Sequence, residues 1–173
     1  MDGARLGAAL TAAEADLTFA DLSTLVDIFS IGGTKNGALL GEAVVINNPT
    51  LKEHFRYYLK QRGALLAKGR VLGVQFVELF KGDLYFDLAK HANAVAGKLS
   101  EGIKKQGYSC WIASTTNQIF PIFPRAVIEQ LQVYYGFYVW AKVDAAHSAV
   151  RLVTSWATTE SAVEEFLADL RKL

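Results

Sequence analysis

The sequence predicts an α/β protein built in two parts, and three observations carry that expectation. Two short apolar runs, 25–30 and 43–46, are bounded by polar residues or glycine and flank a glycine-rich turn. Runs of that length suit buried strands of a mostly parallel sheet. A stretch with helical spacing follows, punctuated by Gly63, Gly82 and Gly107. After Gly107 the pattern changes to short strand-like runs, and the last two, 137–143 and 149–156, read as an antiparallel hairpin. Residues 1–82 therefore read as the tail of an α/β domain, and 83–173 as a compact α/β unit with antiparallel strands.

In order, residues 4–13 are rich in alanine and leucine and read as a helix. Asp16 or Thr18 ends it or caps the next short helix, at 21–25. Asn48 followed by Pro49 is a helix start, with asparagine as the cap and proline in the first turn. That helix runs to about Arg62, where Gly63 interrupts it. Residues 64–80 form the next helical stretch, with Leu65, Leu72, Phe76, Leu79 and Phe80 mainly on one face and Gly82 as the stop. Asp83 opens another helix to about Lys105, which buries Leu84, Leu88, Val95, Leu99 and Ile103. Residues 108–113 and 118–123 read as strands, and Pro121 puts the second at an edge or a bulge. A helix over 124–135 precedes the hairpin. Thr158 or Thr159 caps the last helix, whose glutamates lie near its start and Arg171 and Lys172 near its end, as the helix dipole favours.

At 173 residues, 51% hydrophobic and 20% charged, the chain is long enough for one good core or two small lobes. A net charge of +1 gives no electrostatic footprint for nucleic acid. The single cysteine, Cys110, rules out an intramolecular disulfide and makes a reducing compartment the default. No signal-peptide pattern opens the chain, and no apolar run approaches the about 20 residues of a membrane span. The expectation is a cytoplasmic protein without membrane or nucleic-acid partners. His54, His91 and His147 are not spaced as a metal pair, so no metal site is expected. Trp111, Trp140, Trp156, Tyr134 and Tyr135 are expected in the core or an interface, and Cys110 is expected to be buried. Lys60, Arg62, Lys68 and Arg70 read as a solvated helix face.

The stretch with most chemical character is 27–42, D-I-F-S-I-G-G-T-K-N-G-A-L-L-G-E. It places Lys35 in a glycine-rich turn between two apolar runs, with the hydroxyls of Ser30 and Thr34 on its N-terminal side. A lysine so placed forms a Schiff base with a carbonyl cofactor if burial keeps its amine partly neutral. A solvated loop lysine is the alternative.

The pattern S-x-G-G-T-K-N-G, followed by G-E-A-V-V, resembles the cofactor-lysine segment of the low-specificity threonine aldolases. These are pyridoxal-phosphate enzymes of the aspartate-aminotransferase fold, in the β-eliminating lyase family. Met1-Asp2-Gly3-Ala4-Arg5 looks like the family's M-D-G-A-R. Lys60-Gln61-Arg62-Gly63 and Val150-Arg151-Leu152-Val153-Thr154-Ser155-Trp156 match further along, in the family's order. The resemblance runs through essentially the whole chain and implies one that begins in the middle of the family's sequence, with the N-terminal half absent. It implies that 1–82 is the C-terminal part of the large cofactor-binding domain, including the interdomain helix, and that 83–173 is the small C-terminal domain.

The resemblance also implies roles. Lys35 is the catalytic residue and holds pyridoxal 5'-phosphate as a Schiff base. Asp2 binds the pyridine nitrogen by a charge-assisted hydrogen bond, which keeps the ring protonated and a better electron sink. Ser30 and Thr34 offer hydroxyls to the phosphate, beside the backbone N–H groups of Gly32 and Gly33. Arg5 and Arg151 hold the substrate carboxylate with their planar forks. The implied reaction is retro-aldol cleavage of L-threonine or allo-threonine-type β-hydroxy-α-amino acids to glycine and an aldehyde. The implied assembly is a homo-oligomer acting on a small-molecule amino acid. Two other readings stand beside this one: a catalytically silent fragment serving as an assembly or dimerisation module, and another β-eliminating lyase on the same scaffold.

Overall fold

In a computed structural model that describes residues 1–173, the chain forms two compact units. One consists of Met1–Leu10 with Ala15–Leu88, the other of Thr11–Glu14 with Ala89–Leu173.

The first unit is built on β1 (Ile28–Gly32). Its neighbour β2 (Glu42–Ile46) pairs with it antiparallel, with Ile28 opposite Ile46 and Gly32 opposite Glu42. Along its other edge β1 takes the start of the chain. The Met1 ammonium donates to the Ile28 carbonyl at 2.7 Å. The Met1 carbonyl accepts from the Ser30 N–H at 3.1 Å, and the Gly3 carbonyl from the Gly32 N–H at 3.0 Å. One residue that donates to a position and accepts from the position two further on makes the hydrogen-bond pattern of a parallel pair. β1 thus has one parallel and one antiparallel neighbour. The two apolar runs expected side by side in a mostly parallel sheet are antiparallel to each other, and β2 is less buried than expected, with Val44 50% exposed.

The helices of this unit are shorter than their patterns predict. The first, α1 (Leu6–Leu10), covers half of the alanine-rich stretch. Thr18 caps α2 (Phe19–Leu25): its hydroxyl accepts the Asp21 N–H, and the Asp21 carboxylate accepts the Thr18 N–H, a capping box. Asn48 caps α3 (Pro49–Lys52) as expected, but α4 (Phe55–Gln61) is separate from it. The break lies at His54, whose φ of 55° is left-handed and cannot continue a helix. Gly63, also left-handed, follows α4, and the next helix, α5, covers only Arg70–Leu79. Residues 64–69 are exposed throughout, so no tertiary packing holds them helical. The core gathers Leu6, Leu22, Phe29, Ile31, Leu79 and Tyr85. Around it stands an aromatic group in which Phe80 stacks on Tyr85 at 4.9 Å.

Helix α6 (Leu84–Lys105) runs from the first unit into the second, and the left-handed Gly107 closes it as expected. The second unit's sheet centres on β6 (His147–Val153). The strands β3 (Gln118–Ile119), β4 (Ile122–Pro124) and β5 (Tyr138–Lys142) all pair antiparallel to β6. The strand expected over 118–123 is split between β3 and β4 at Pro121, which has no N–H to give a ladder. The strand expected over 108–113 reduces to one bridge, Cys110 with Pro121. Between β4 and β5 lies α7 (Arg125–Leu131), and α8 (Glu160–Leu170) is capped by Thr159, whose hydroxyl accepts the Ala162 N–H at 3.2 Å. The core is formed by Val95, Leu99 and Ile103 of α6 with Phe123, Val150, Leu152, Val163 and Phe166. Of the aromatics expected in the core or an interface, Tyr135 packs on this core and donates its hydroxyl to Asp169 at 2.8 Å. Trp111, Trp140, Trp156 and Tyr134 are exposed, and Cys110 is only half-buried.

Candidate active site

The first unit gathers most of the residues with chemical promise. Lys35 stands in a 3-10 turn, Thr34–Asn36, just past the end of β1. The turn is fixed from inside by Asn36, which is buried and donates its side-chain N–H to the Tyr85 carbonyl at 2.7 Å. The Gly33 carbonyl accepts from both Asn36 and Ala38, and Gly37, at φ 100°, takes the exit that a residue with a Cβ resists. Lys35 and Thr34 themselves are exposed. The burial expected to keep the lysine amine partly neutral is therefore not supplied by this chain's own packing.

Asp2 and Ser30 sit on neighbouring strands. One Asp2 carboxylate oxygen accepts the Ala4 N–H at 2.9 Å, which orients the group. The Ser30 hydroxyl oxygen accepts the Gly3 N–H at 3.0 Å and keeps its own proton to donate. The backbones touch here: a Cβ on Gly3 would run into the Ser30 carbonyl, and one on Gly32 would meet Ala4 at 2.6 Å. The N–H groups of Gly32 and Gly33, expected to point at a phosphate, are already used, by the carbonyls of Gly3 and Gly41. That part of the expected phosphate contact is corrected, because both N–H groups belong to the backbone network. Arg5 follows directly and is half-buried.

Tyr85 is a residue that sequence reasoning missed. It is 1% exposed, accepts the Gly7 N–H at 3.1 Å and donates to the Gly32 carbonyl at 3.4 Å. Burial pushes its hydroxyl up to about 12, with the Gly7 hydrogen bond opposing the shift. It ties the start of α1, the end of β1 and the Lys35 turn together. An aromatic one residue into a helix gives no sequence signal for such a role.

In the second unit Arg151 lies in the middle of β6, half-buried. Its guanidinium carbon is 5.4 Å from the ring centre of Tyr138 and 5.4 Å from that of Trp140. Its Nε is buried without a hydrogen-bond partner. A buried donor left unpaired is unfavourable, and an anion supplied from outside would satisfy it.

No family model matches the chain. The low specificity L-threonine aldolase of Pseudomonas aeruginosa is 33% identical over 176 residues, covering 99% of this chain and 49% of that protein. The enzyme of the same description from a Pseudomonas species is 34% identical over the same shares. A threonine aldolase structure from Leishmania major superposes with a TM-score of 0.95 at 42% identity, covering 99% of this chain and 50% of that one. The serine palmitoyltransferase of Sphingomonas wittichii, at 15% identity and a TM-score of 0.67, shares the fold alone. The chain spans about half the length of the curated relatives it matches. Its α/β fold is that of pyridoxal-phosphate-dependent enzymes of the aspartate-aminotransferase class. Over its length the chain is similar to the low specificity L-threonine aldolases and matches their C-terminal half.

Proposed function

We propose that the chain carries the lysine-bearing part of a pyridoxal-phosphate-dependent aldehyde-lyase of the threonine-aldolase type. Its substrates are L-threonine and allo-threonine-type β-hydroxy-α-amino acids, and its products are glycine and an aldehyde. The observation that carries this reading is the pairing of Met1 and Gly3 with β1, which sets a carboxylate and a hydroxyl on adjacent strands, the second of them running into the Lys35 turn. An amine, a carboxylate and hydroxyls are the donor set such a cofactor requires, so these residues fit it. When bound, the cofactor supplies a sink for the electron pair released as the substrate's Cα–Cβ bond breaks.

The chain's own residues have distinct tasks in this reading. Lys35 holds the cofactor through Nζ. Asp2, oriented by the Ala4 N–H, keeps a proton on the ring nitrogen through a charge-assisted hydrogen bond. Ser30 and Thr34 would donate hydroxyl hydrogen bonds to the cofactor's phosphate. Arg5 and Arg151 each offer a planar N–H fork suited to the substrate carboxylate. Residues 1–82 then belong to the large cofactor-binding domain and 83–173 to the small one. The protein acts in the cytoplasm as a homo-oligomer. The test is glycine release from L-threonine by the 173-residue chain with pyridoxal phosphate. Glycine release should fall to background in Lys35→Ala, and kcat/KM should fall roughly 10- to 100-fold in Arg151→Ala. No glycine from the unaltered chain would remove the enzymatic reading for this chain.

A second reading, a catalytically silent assembly module, is favoured by one feature of α5. Val71, Val74 and Val77 form a stripe on its outer side, each at least 60% exposed. Such a stripe at helical spacing suits association. Sedimentation as an oligomer with no cofactor uptake would favour it.

A further inference from the structure

We propose that Tyr138 and Trp140 are positioning residues that hold the Arg151 guanidinium between their rings and so keep its N–H fork open for a carboxylate. The inference rests on the reading of Arg151 as a carboxylate-binding residue and names what makes that arginine competent.

No ion pair or side-chain hydrogen bond fixes Arg151 within the chain, and its Nε is buried without an acceptor. A long side chain in that state needs another restraint to keep one orientation. Two rings supply it, each 5.4 Å from the guanidinium carbon. A carboxylate clamp would hold the arginine by consuming its N–H donors and cancelling its charge. Ring faces attract the same charge through their quadrupoles and consume no donor. The choice of aromatics over acids therefore leaves the arginine both fixed and available.

The strand geometry supports the pairing. Tyr138 lies directly opposite Arg151 in the β5–β6 register, so the two side chains share one face of the sheet. Val139 is opposite Val150, but the next paired residue is Ala141, opposite Ala149. Trp140 is the extra residue of a bulge. Trp140 lies two residues beyond Tyr138, so strand alternation already puts both rings on the face that carries Arg151, and the extra residue adds local twist there. Phe120, 5.3 Å from Trp140 between ring centres, backs that indole. Trp140 is 49% exposed and Tyr138 71% exposed, so neither ring is explained by core packing.

The test uses the whole chain without cofactor and reads Arg151 directly by NMR, with Arg151→Lys to assign its Nε–H signal. Before any ligand is added, the Arg151 Cδ protons should show an upfield ring-current shift that Trp140→Leu reduces, leaving the Tyr138 share, and Trp140→Phe reduces less. Sodium acetate is then titrated as the probe. The Nε–H signal should move saturably, with a dissociation constant raised roughly 2- to 5-fold in Trp140→Leu, changed less in Trp140→Phe and unchanged in Tyr138→Phe. An unchanged melting temperature in Trp140→Leu would separate this loss from unfolding. If acetate moves Arg151 equally in the unaltered chain and in Trp140→Leu, the positioning role is overturned while Arg151 stands as a carboxylate binder. If acetate leaves the Arg151 signal unmoved in the unaltered chain, the carboxylate reading fails and this inference fails with it. The absence of a ring-current shift would overturn the clamp whatever acetate does.

Discussion

Tyr85 ties the start of α1 to the end of β1 through its hydroxyl and holds the Lys35 turn through its backbone carbonyl, so removal of the hydroxyl should be felt at α1 and β1. Tyr85→Phe keeps the ring stack on Phe80 but removes the buried hydroxyl that accepts the Gly7 N–H and donates to the Gly32 carbonyl. A loss of about 1–3 kcal/mol in urea unfolding is expected. The same hydroxyl makes stability depend on pH in the alkaline range. Its folded value lies near 12, above its ordinary value of 10, so the unfolded chain loses this proton first. Its contribution is complete below about pH 10 and fades as pH rises toward 12. Tyr85→Phe should flatten the part of the stability profile that this group causes. Tyr135, pushed up to about 12 by burial and by the Asp169 carboxylate it donates to, acts in the same sense, so the double variant should be flatter still.

Among the elements, the opening strand is the one whose order decides whether Asp2 can do precise work. A chain terminus is disordered unless something ties it down. Here Met1 and Gly3 are tied to β1 through backbone hydrogen bonds, and the fit requires a glycine at position 3. Gly3→Ala forces a Cβ into the Ser30 carbonyl, which as backbone cannot give way cheaply. The expected cost is about 1–3 kcal/mol, accompanied by faster hydrogen exchange at the Ser30 and Gly32 amides. Wild-type exchange rates at those amides in Gly3→Ala would contradict the pairing. The sequence motif marked this segment as important without saying how it is held, because backbone pairing leaves no side-chain signature. The helices show the opposite limit. Asn48, Thr18 and Gly107 were readable because caps and stops are local chemistry. The break at His54 was not readable, since left-handed backbone at a histidine has no residue-type signal. Exposed residues 64–69 have helical composition but nothing to pack against.

At the scale of the whole chain, the α/β class was readable from apolar run lengths and from the change of pattern after Gly107. The direction of strand pairing was not, because periodicity reports which face is buried and not which neighbour lies alongside. The candidate site was readable only through motif resemblance. Lys35, Asp2, Ser30 and Arg151 each look ordinary in composition, and Tyr138 and Trp140 meet Arg151 through the pairing of β5 with β6, which one strand's pattern does not encode. The central claim is that Lys35 of this chain holds the cofactor, although the turn leaves it exposed. The most direct measurement adds pyridoxal phosphate to the 173-residue chain, reduces with borohydride and locates the attached mass by peptide mass spectrometry. Lys35→Ala and Asp2→Asn are treated in parallel. The account predicts stoichiometric attachment at Lys35, none in Lys35→Ala, and a shifted visible absorbance with retained attachment in Asp2→Asn. Label scattered over the exposed lysines, unchanged in amount by Lys35→Ala, would contradict it.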